Sequence, residues 1–185
     1  MKKAILFTIV LTCLLLVIGC QKSQDKTVKI KVDGGKFPSF LVGTWRATEA
    51  GWEFKFEPDG TISSAVIDGG MVAVNPSEKT TEINLKDGGK GTYKLGQWSA
   101  NYTPLNRELS VMLNYEYYLD MKTHALRGMV SDWLMGSISE DGQTWKAQWI
   151  TTPQITLFTP EPSVLPIDPN EMDKGLAVFK KLPQK

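Results

Sequence analysis

The longest alternating segment of the chain reads Leu109-Ser110-Val111-Met112-Leu113-Asn114-Tyr115-Glu116-Tyr117-Tyr118-Leu119. A large apolar or aromatic residue occupies every second position from Leu109 to Leu119. Side chains of a β-strand point alternately to the two faces of its sheet, so this period of two predicts a strand with one buried face. The segment therefore indicates a domain built from half-buried sheet.

Similar alternation on either side of this segment predicts β-hairpins. Trp52, Phe54 and Phe56 alternate with charged residues, and the sequence Glu57-Pro58-Asp59-Gly60 then leads into a second strand over Thr61–Ile67. Proline and glycine stand there at the positions where tight turns use them. In the same way, the turn sequence Ser139-Glu140-Asp141-Gly142 joins predicted strands over Trp133–Ile138 and Trp145–Trp149.

Three further short strands are predicted between these hairpins, over Val72–Val74, Thr81–Leu85 and Tyr93–Tyr102. Together with little convincing helix, the pattern is typical of antiparallel all-β domains. We predict an up-and-down β-barrel of about eight strands, because closure into a barrel removes the exposed edges of a sheet. A β-sandwich is the alternative architecture.

The segment Leu41-Val42-Gly43-Thr44-Trp45 resembles the Gly-x-Trp motif on the first strand of lipocalins and of the wider calycin group. The segments Tyr93–Trp98 and Ser139–Trp145 resemble parts of bacterial lipocalin-like lipoproteins of unknown function. The likeness covers residues 40–152. It implies a lipocalin-like barrel in which Gly43 and Trp45 form a structural motif and Trp45 packs across one end of the barrel.

The first residues of the chain have the composition of a secretory signal peptide. Met1-Lys2-Lys3 is positively charged, and Ala4–Ile18 contains no charged residue. This apolar run is shorter than the roughly 20 residues of a typical membrane-spanning helix. A basic start, a short apolar run and the small residue Gly19 together predict a signal peptide over residues 1–19.

The sequence Val17-Ile18-Gly19-Cys20 resembles the lipobox of bacterial lipoproteins. The resemblance implies cleavage before Cys20, a diacylglycerol on its sulfur, and an acyl chain such as palmitate on its amine. Two or more acyl chains anchor a protein stably in a membrane. We therefore expect a lipoprotein of the cell envelope, held in the outer membrane where the host has one and otherwise on the outer face of the cytoplasmic membrane.

The mature chain is expected to be nearly neutral and to have no free thiol. Loss of Lys2 and Lys3 leaves 19 of the 21 basic residues, against 20 acidic ones. This balance indicates no surface for nucleic acid and no strong overall attraction to anionic lipid. The lipobox resemblance implies that Cys13 leaves with the signal peptide and that Cys20 is acylated, and it thereby implies that thiolate catalysis and cysteine-based metal sites are excluded.

Residues 20–36 are polar and predict a lipidated tether, although Val28–Val32 alternates well enough for a short strand. Residues 37–185 form the predicted barrel domain. Within this domain, residues 153–169 contain five prolines and predict an extended surface loop. The tail from Met172 to Leu182 predicts a short helix or a last strand.

No segment carries the signature of an enzyme. The single histidine, His124, lies near a predicted turn, where a surface role outweighs a catalytic one. The acidic segment Asp168–Asp173 lacks the spacing of a calcium loop and favours a helix cap. Glu116 and Asp120 could share one face of a strand, but no hydrolase motif accompanies them. We predict no catalytic residue, no metal site and no cofactor.

Aromatic side chains are the best candidates for a functional role. All six Trp and all five Tyr follow residue 20. Small barrels are either filled with side chains or enclose one small ligand. Our first hypothesis is a membrane-anchored, non-enzymatic domain that binds a small apolar or amphipathic ligand. The alternative is a solid barrel that serves as an envelope interaction module for a protein or a glycan. The predicted ligand-lining residues are Tyr115, Tyr117, Tyr118, Trp133 and Trp149.

Overall fold

The computed structural model describes residues 27–122, 124–158, 162–164 and 173–183. These residues form one twelve-stranded β-sheet with two short 3-10 turns, Ser39–Leu41 and Asp68–Gly70, and they contain no α-helix. The all-β prediction is confirmed. The strands are β1 (Ile30–Val32), β2 (Gly43–Ala47), β3 (Trp52–Phe56), β4 (Ile62–Ile67), β5 (Val72–Val74), β6 (Thr80–Asn84), β7 (Lys90–Thr103), β8 (Glu108–Asp120), β9 (Ala125–Ile138), β10 (Thr144–Phe158), β11 (Pro162–Val164) and β12 (Asp173–Lys181).

Neighbouring strands of the sheet follow the order β1-β7-β8-β9-β10-β12-β2-β3-β4-β5, with β6 beside β7 and β11 beside β10. The described pairs are antiparallel, except that β1 runs parallel to β7. The regular ladder is not closed into a barrel. An isolated bridge between Lys29 and Thr61 connects the start of β1 to the start of β4. Beside this bridge, the Ile30 N–H donates to the Gly60 carbonyl at 2.9 Å.

The alternating segments form strands as predicted. β8 covers the whole of the longest one, and its inward residues Leu109, Val111 and Leu113 are buried. At the predicted turn after β3, the Gly60 N–H donates to the Glu57 carbonyl at 2.9 Å, and Gly60 has a φ of 82°. Glycine suits such a turn because it adopts a positive φ without a steric penalty.

Aromatic side chains fill the core between β3, β10 and β12. Trp145 and Phe179 stack with their ring centroids 4.4 Å apart, and Phe54 packs against both of them. Trp45 is fully buried, and its indole N–H donates to the Leu41 carbonyl at 2.8 Å. Gly43 has a φ of 123°, in the region that favours glycine. The interior around Gly43 and Trp45 is therefore occupied by side chains.

The structure differs from the prediction in the number of strands and in the conformation of the proline-rich segment. The sheet has twelve strands rather than about eight, because short edge strands flank the long central ones. Pro153 lies inside β10, opposite Val130, and not in a loop. β12 pairs with β10 only as far as Thr151, and β11 pairs with it only from Thr156 onward. Proline is tolerated on such an edge stretch because its missing N–H has no partner to lose.

Both ends of the domain contribute strands. β12 shows that the C-terminal tail is a strand and not a helix, with Ala177 and Phe179 buried. β1 lies at the alternating segment within the predicted tether, and its Ile30 is buried in the core. The folded part of the chain therefore begins before Phe37. The signal peptide, Cys20 and residues 165–172 lie outside the described residues.

Candidate functional site

Strands β7, β8 and β9 place a group of polar side chains in the interior of the domain. Tyr93, Tyr115 and Asp132 occupy inward positions and are 1%, 3% and 2% exposed. Asp68 joins them from the 3-10 turn after β4, and Thr151 joins them from β10. We call these five residues the interior polar cluster.

Asp68 fixes one side of the interior polar cluster. Its carboxylate accepts hydrogen bonds from the hydroxyls of Tyr93 at 2.6 Å and Tyr115 at 3.5 Å. Asp68 has a φ of 54°, in the left-handed region that non-glycine residues seldom occupy but that Asp tolerates better than most. Its two tyrosine partners hold the turn in this conformation.

Asp132 is the most unusual member of the cluster. The Thr151 hydroxyl donates to its Oδ1, whereas its Oδ2 is buried and has no hydrogen-bond partner among the described residues. Burial raises the pKa of Asp132 to about 6, and the negative charge of Asp68 adds to this effect, while the hydrogen bond from Thr151 opposes it. Asp132 therefore changes its charge close to neutral pH.

The tyrosines of the cluster remain protonated. Burial is the largest cause that raises the pKa of both Tyr93 and Tyr115 above the ordinary value, and nearby carboxylates raise it further. The hydroxyls can therefore donate hydrogen bonds but cannot supply a phenolate at neutral pH. This arrangement can hold a buried hydrogen-bond network together.

The structure divides the five predicted ligand-lining residues between two faces. Tyr115, Tyr117 and Trp149 face the interior, and the Tyr117 ring lies 5.9 Å from that of Tyr93. Tyr118 and Trp133 face outward and are 45% and 56% exposed. The inward and outward residues therefore cannot line one common cavity.

Trp133 instead belongs to an exposed apolar surface on the outer side of the sheet. Met112, Trp133 and Ile150 lie directly opposite one another on β8, β9 and β10. Met135 follows at the next outward position of β9, and β12 adds two more apolar side chains. We call this group the outer apolar surface. It consists of Met112, Trp133, Met135, Ile150, Leu176 and Val178, and the last five are 40–63% exposed.

Two clefts lie near these surfaces. The larger, of about 760 Å³, lies between the entry to β1 and β7, and Trp98 lines it. The Trp98 indole N–H is buried without a hydrogen-bond partner among the described residues. The second cleft, of about 510 Å³, lies where β7 to β10 pass the register shift of β7 between Leu95 and Trp98. Tyr115, Met129 and Val130 line this second cleft, and neither Asp68 nor Asp132 lines either one.

Of the remaining candidates, the structure places His124, Glu116 and Asp120 on or beside β8. His124 lies in the connection between β8 and β9, where its carbonyl accepts from the Met121 N–H at 3.0 Å. Glu116 forms an ion pair with Arg127 at 3.3 Å, and Asp120 is exposed at the end of β8. Of the acidic segment 168–173, residues 168–172 lie outside the described part of the chain. The described residues hold no group of three or more His, Cys, Asp or Glu side chains placed to bind a metal ion.

Sequence reasoning missed both the interior polar cluster and the outer apolar surface. The sequence of β9 contains a signal for both of these groups. Val130, Asp132 and Leu134 occupy alternate positions of the strand, and all three side chains point inward. One Asp in an otherwise apolar phase indicates a buried carboxylate. At the outward positions of β9, Trp133 and Met135 are large and apolar, whereas a strand face exposed to water usually carries polar side chains.

Comparison of the chain with protein-family models, with curated proteins and with solved structures gives no match. Within the described part of the chain, no helix has the length and apolar character needed to cross a bilayer. The fold and the two side-chain groups together define an all-β domain with a polar cluster inside and an apolar surface outside.

Proposed function

We propose that the chain is a lipid-anchored, non-enzymatic binding module of the cell envelope, and that the outer apolar surface is its contact surface. The observation that carries the proposal is the direct alignment of Met112, Trp133 and Ile150 across three strands. Soluble monomers seldom expose large contiguous apolar patches, and those that occur usually mark interaction sites. The sheet holds these side chains in fixed register, as a binding surface requires.

A lipocalin-like barrel with a solid core is the architecture that best agrees with this function. Its closure would run through β1, which pairs with β7 on one side and bridges to Thr61 on the other. The packed rings of Phe54, Trp145 and Phe179 support a filled interior. A filled barrel leaves its outer side as the surface for binding.

A small amphipathic ligand is the second candidate, because the cleft beside Tyr115 has the volume of a small-molecule site. Its volume of about 510 Å³ lies inside the range of typical ligand pockets. Tyr115, Met129 and Val130 give it aromatic and apolar walls, and Lys94 and Glu116 give it charged ones. Native mass spectrometry of the purified chain tests this candidate, since a bound ligand would add a mass that is lost on denaturation.

The lipid anchor makes a direct prediction about Cys20. We expect the N-terminal peptide of the chain extracted from cells to begin at Cys20 and to carry the mass of acyl chains, as measured by mass spectrometry. Cys20→Ala should abolish this modification, because the thiol that receives the diacylglycerol is absent. Cys13→Ala is the matched control and should leave it unchanged. An unmodified Cys20 in the wild-type chain would disprove the anchor.

The contact surface is tested by methionine oxidation in isolated envelopes. Met135 and Met71 are 50% and 66% exposed, but only Met135 belongs to the outer apolar surface. We expect Met135 to be oxidised several-fold more slowly than Met71 when peroxide is added to native envelopes, because a binding partner covers it. After unfolding in urea the two rates should become equal. Equal rates in native envelopes would contradict the proposed contact surface.

A further inference from the structure

We infer that the outer apolar surface lies on the anionic lipid surface of the membrane that holds the anchor. This inference rests on the proposed lipid anchor and names the partner of the proposed contact surface. Trp133, Met135 and Ile150 project from the sheet with 41–56% exposure. Aromatic and aliphatic side chains of this kind enter the boundary between lipid headgroups and acyl chains.

The charges around the outer apolar surface favour an anionic partner. The outward positions of β9 from Met129 to Ser137, of β10 from Thr144 to Thr152 and of β12 from Lys174 to Lys180 include no Asp or Glu. They include three lysines, Lys146, Lys174 and Lys180. Asp141, in the β9–β10 turn, lies near Lys180. On β8, Glu108 and Glu116 each lie two outward positions from Met112, and Glu116 forms an ion pair with Arg127. Although the mature chain is nearly neutral, the part of this face formed by β9, β10 and β12 is therefore locally basic.

The lysines stand where they can contact headgroups while the apolar side chains enter the membrane. Lys146 lies opposite Val178, and Lys174 lies opposite Ile150. Lysine can bury its aliphatic stem against apolar neighbours and keep its ammonium group at the polar boundary. Among the described residues, the four ion pairs involve neither Lys146 nor Lys180, and the Lys180 ammonium group donates a hydrogen bond to the Thr144 hydroxyl at 2.9 Å.

The anchor is close enough to allow this contact. Cys20 and Thr27 are separated by seven peptide units, which span at most about 25 Å when fully extended. β1 lies three strands from β9 in the sheet order, a distance of about 14 Å. Ser99 of β7 lines both the cleft beside Thr27 and a recess beside Trp133. The acyl chains and the outer apolar surface can therefore meet the same bilayer at once.

A spin label on the acylated full-length product tests the inference. Because Cys13 is removed and Cys20 is acylated, Ile150→Cys introduces the one free thiol. Ala73→Cys is the matched control, since Ala73 is exposed on β5, which ends the strand order and lies five strands from β10. Each labelled chain is reconstituted into phosphatidylcholine vesicles with and without phosphatidylglycerol. Vesicle flotation reports anchoring, and accessibility to oxygen and to a water-soluble nickel chelate reports the depth of the label.

We expect both chains to float, and the label at residue 150 alone to favour oxygen over nickel on vesicles that contain phosphatidylglycerol. Lys146→Gln should lower the ratio of docked to undocked chain about fivefold, because one lysine close to an anionic surface contributes that much. A chain that fails to float would overturn the anchor and the docking together. A floating chain whose residue-150 label stays as accessible to nickel as residue 73 would overturn only the docking. Shielding from both reagents would also overturn it, since a protein would then cover the face.

Discussion

Replacement of Trp145 by alanine should destabilise the domain by about 3–5 kcal/mol, the usual range when a buried Trp or Phe is truncated to Ala. Trp145 is fully buried and stacks on Phe179, and it also contacts Phe54. Its indole N–H donates a hydrogen bond to the Gly136 carbonyl at 3.1 Å, and the Gly136 carbonyl would lose this hydrogen bond in the variant. Since small domains have a total stability of about 5–15 kcal/mol, the loss would remove a large part of it. The measurement is urea unfolding followed by circular dichroism.

Trp133→Ala is the matched control for this experiment, because it removes the same side chain from the outer side of the sheet. Trp133 is 56% exposed, so its truncation should change the unfolding free energy by less than about 1 kcal/mol. The denaturant dependence of both variants should equal that of the wild type. Equal losses in Trp145→Ala and Trp133→Ala would show that the assignment of inward and outward faces is wrong.

Most of the sheet could be predicted because its strands alternate. In β8, the residues from Leu109 to Tyr115 at every second position are buried, as their spacing required. The turns at Gly60 and Gly142 were also predictable, since their φ values of 82° and 68° suit glycine. These features depend on neighbours in the sequence, and local patterns report them directly.

Features that depend on partners distant in the sequence could not be predicted. Pro153 occupies a strand because neither β11 nor β12 pairs with that part of β10, and no local pattern shows where a neighbouring strand stops. The predicted ligand-lining set combined Tyr117 with Tyr118, although adjacent residues of a strand face opposite sides. Aromatic content was the criterion there, and it does not distinguish an inner from an outer face.

The interior polar cluster shows the same limit. Asp68 contacts Tyr93 and Tyr115 across the interior, and the chain segment between β4 and β7 gives no sign of that contact. The only sequence signal for Asp132 is that an acidic residue stands among the apolar residues at the inward positions of β9. Its shifted pKa follows from burial and from the charge of Asp68, both of which need the assembled sheet.

Asp132 should make the stability of the domain depend on pH between about 4 and 6. Its pKa rises from 3.8 to about 6 on folding, so the folded state binds a proton more tightly than the unfolded chain. The interior of the folded domain tolerates the protonated carboxyl of Asp132. Its contribution to the stability of the domain is therefore fully present at pH values below the pKa that Asp132 has in the unfolded chain. It is lost as the pH rises through 6, where the buried carboxylate becomes charged with its Oδ2 unpartnered.

Asp132→Asn should therefore be more stable than the wild type at neutral pH, by as much as about 3 kcal/mol if the whole pKa difference is realised. The asparagine keeps an oxygen to accept from Thr151 and never carries a charge. The measurement is the difference in unfolding free energy between the variant and the wild type from pH 4 to pH 7.5. This difference should increase with pH up to about pH 7 and then remain constant.

Asp141→Asn provides the opposite dependence as a control. Asp141 is exposed, and hydrogen bonds from Ser139 and from the Gln143 N–H lower its pKa. A lowered pKa contributes stability that is present above the unfolded value and is lost as the pH falls, so this variant should lose stability relative to the wild type only at the higher pH values. A stability difference for Asp132→Asn that did not vary with pH would mean that Asp132 titrates as an ordinary solvated carboxyl. The opposite signs expected for the two variants have different causes: burial, with the charge of Asp68, raises the pKa of Asp132, whereas hydrogen bonds lower the pKa of Asp141.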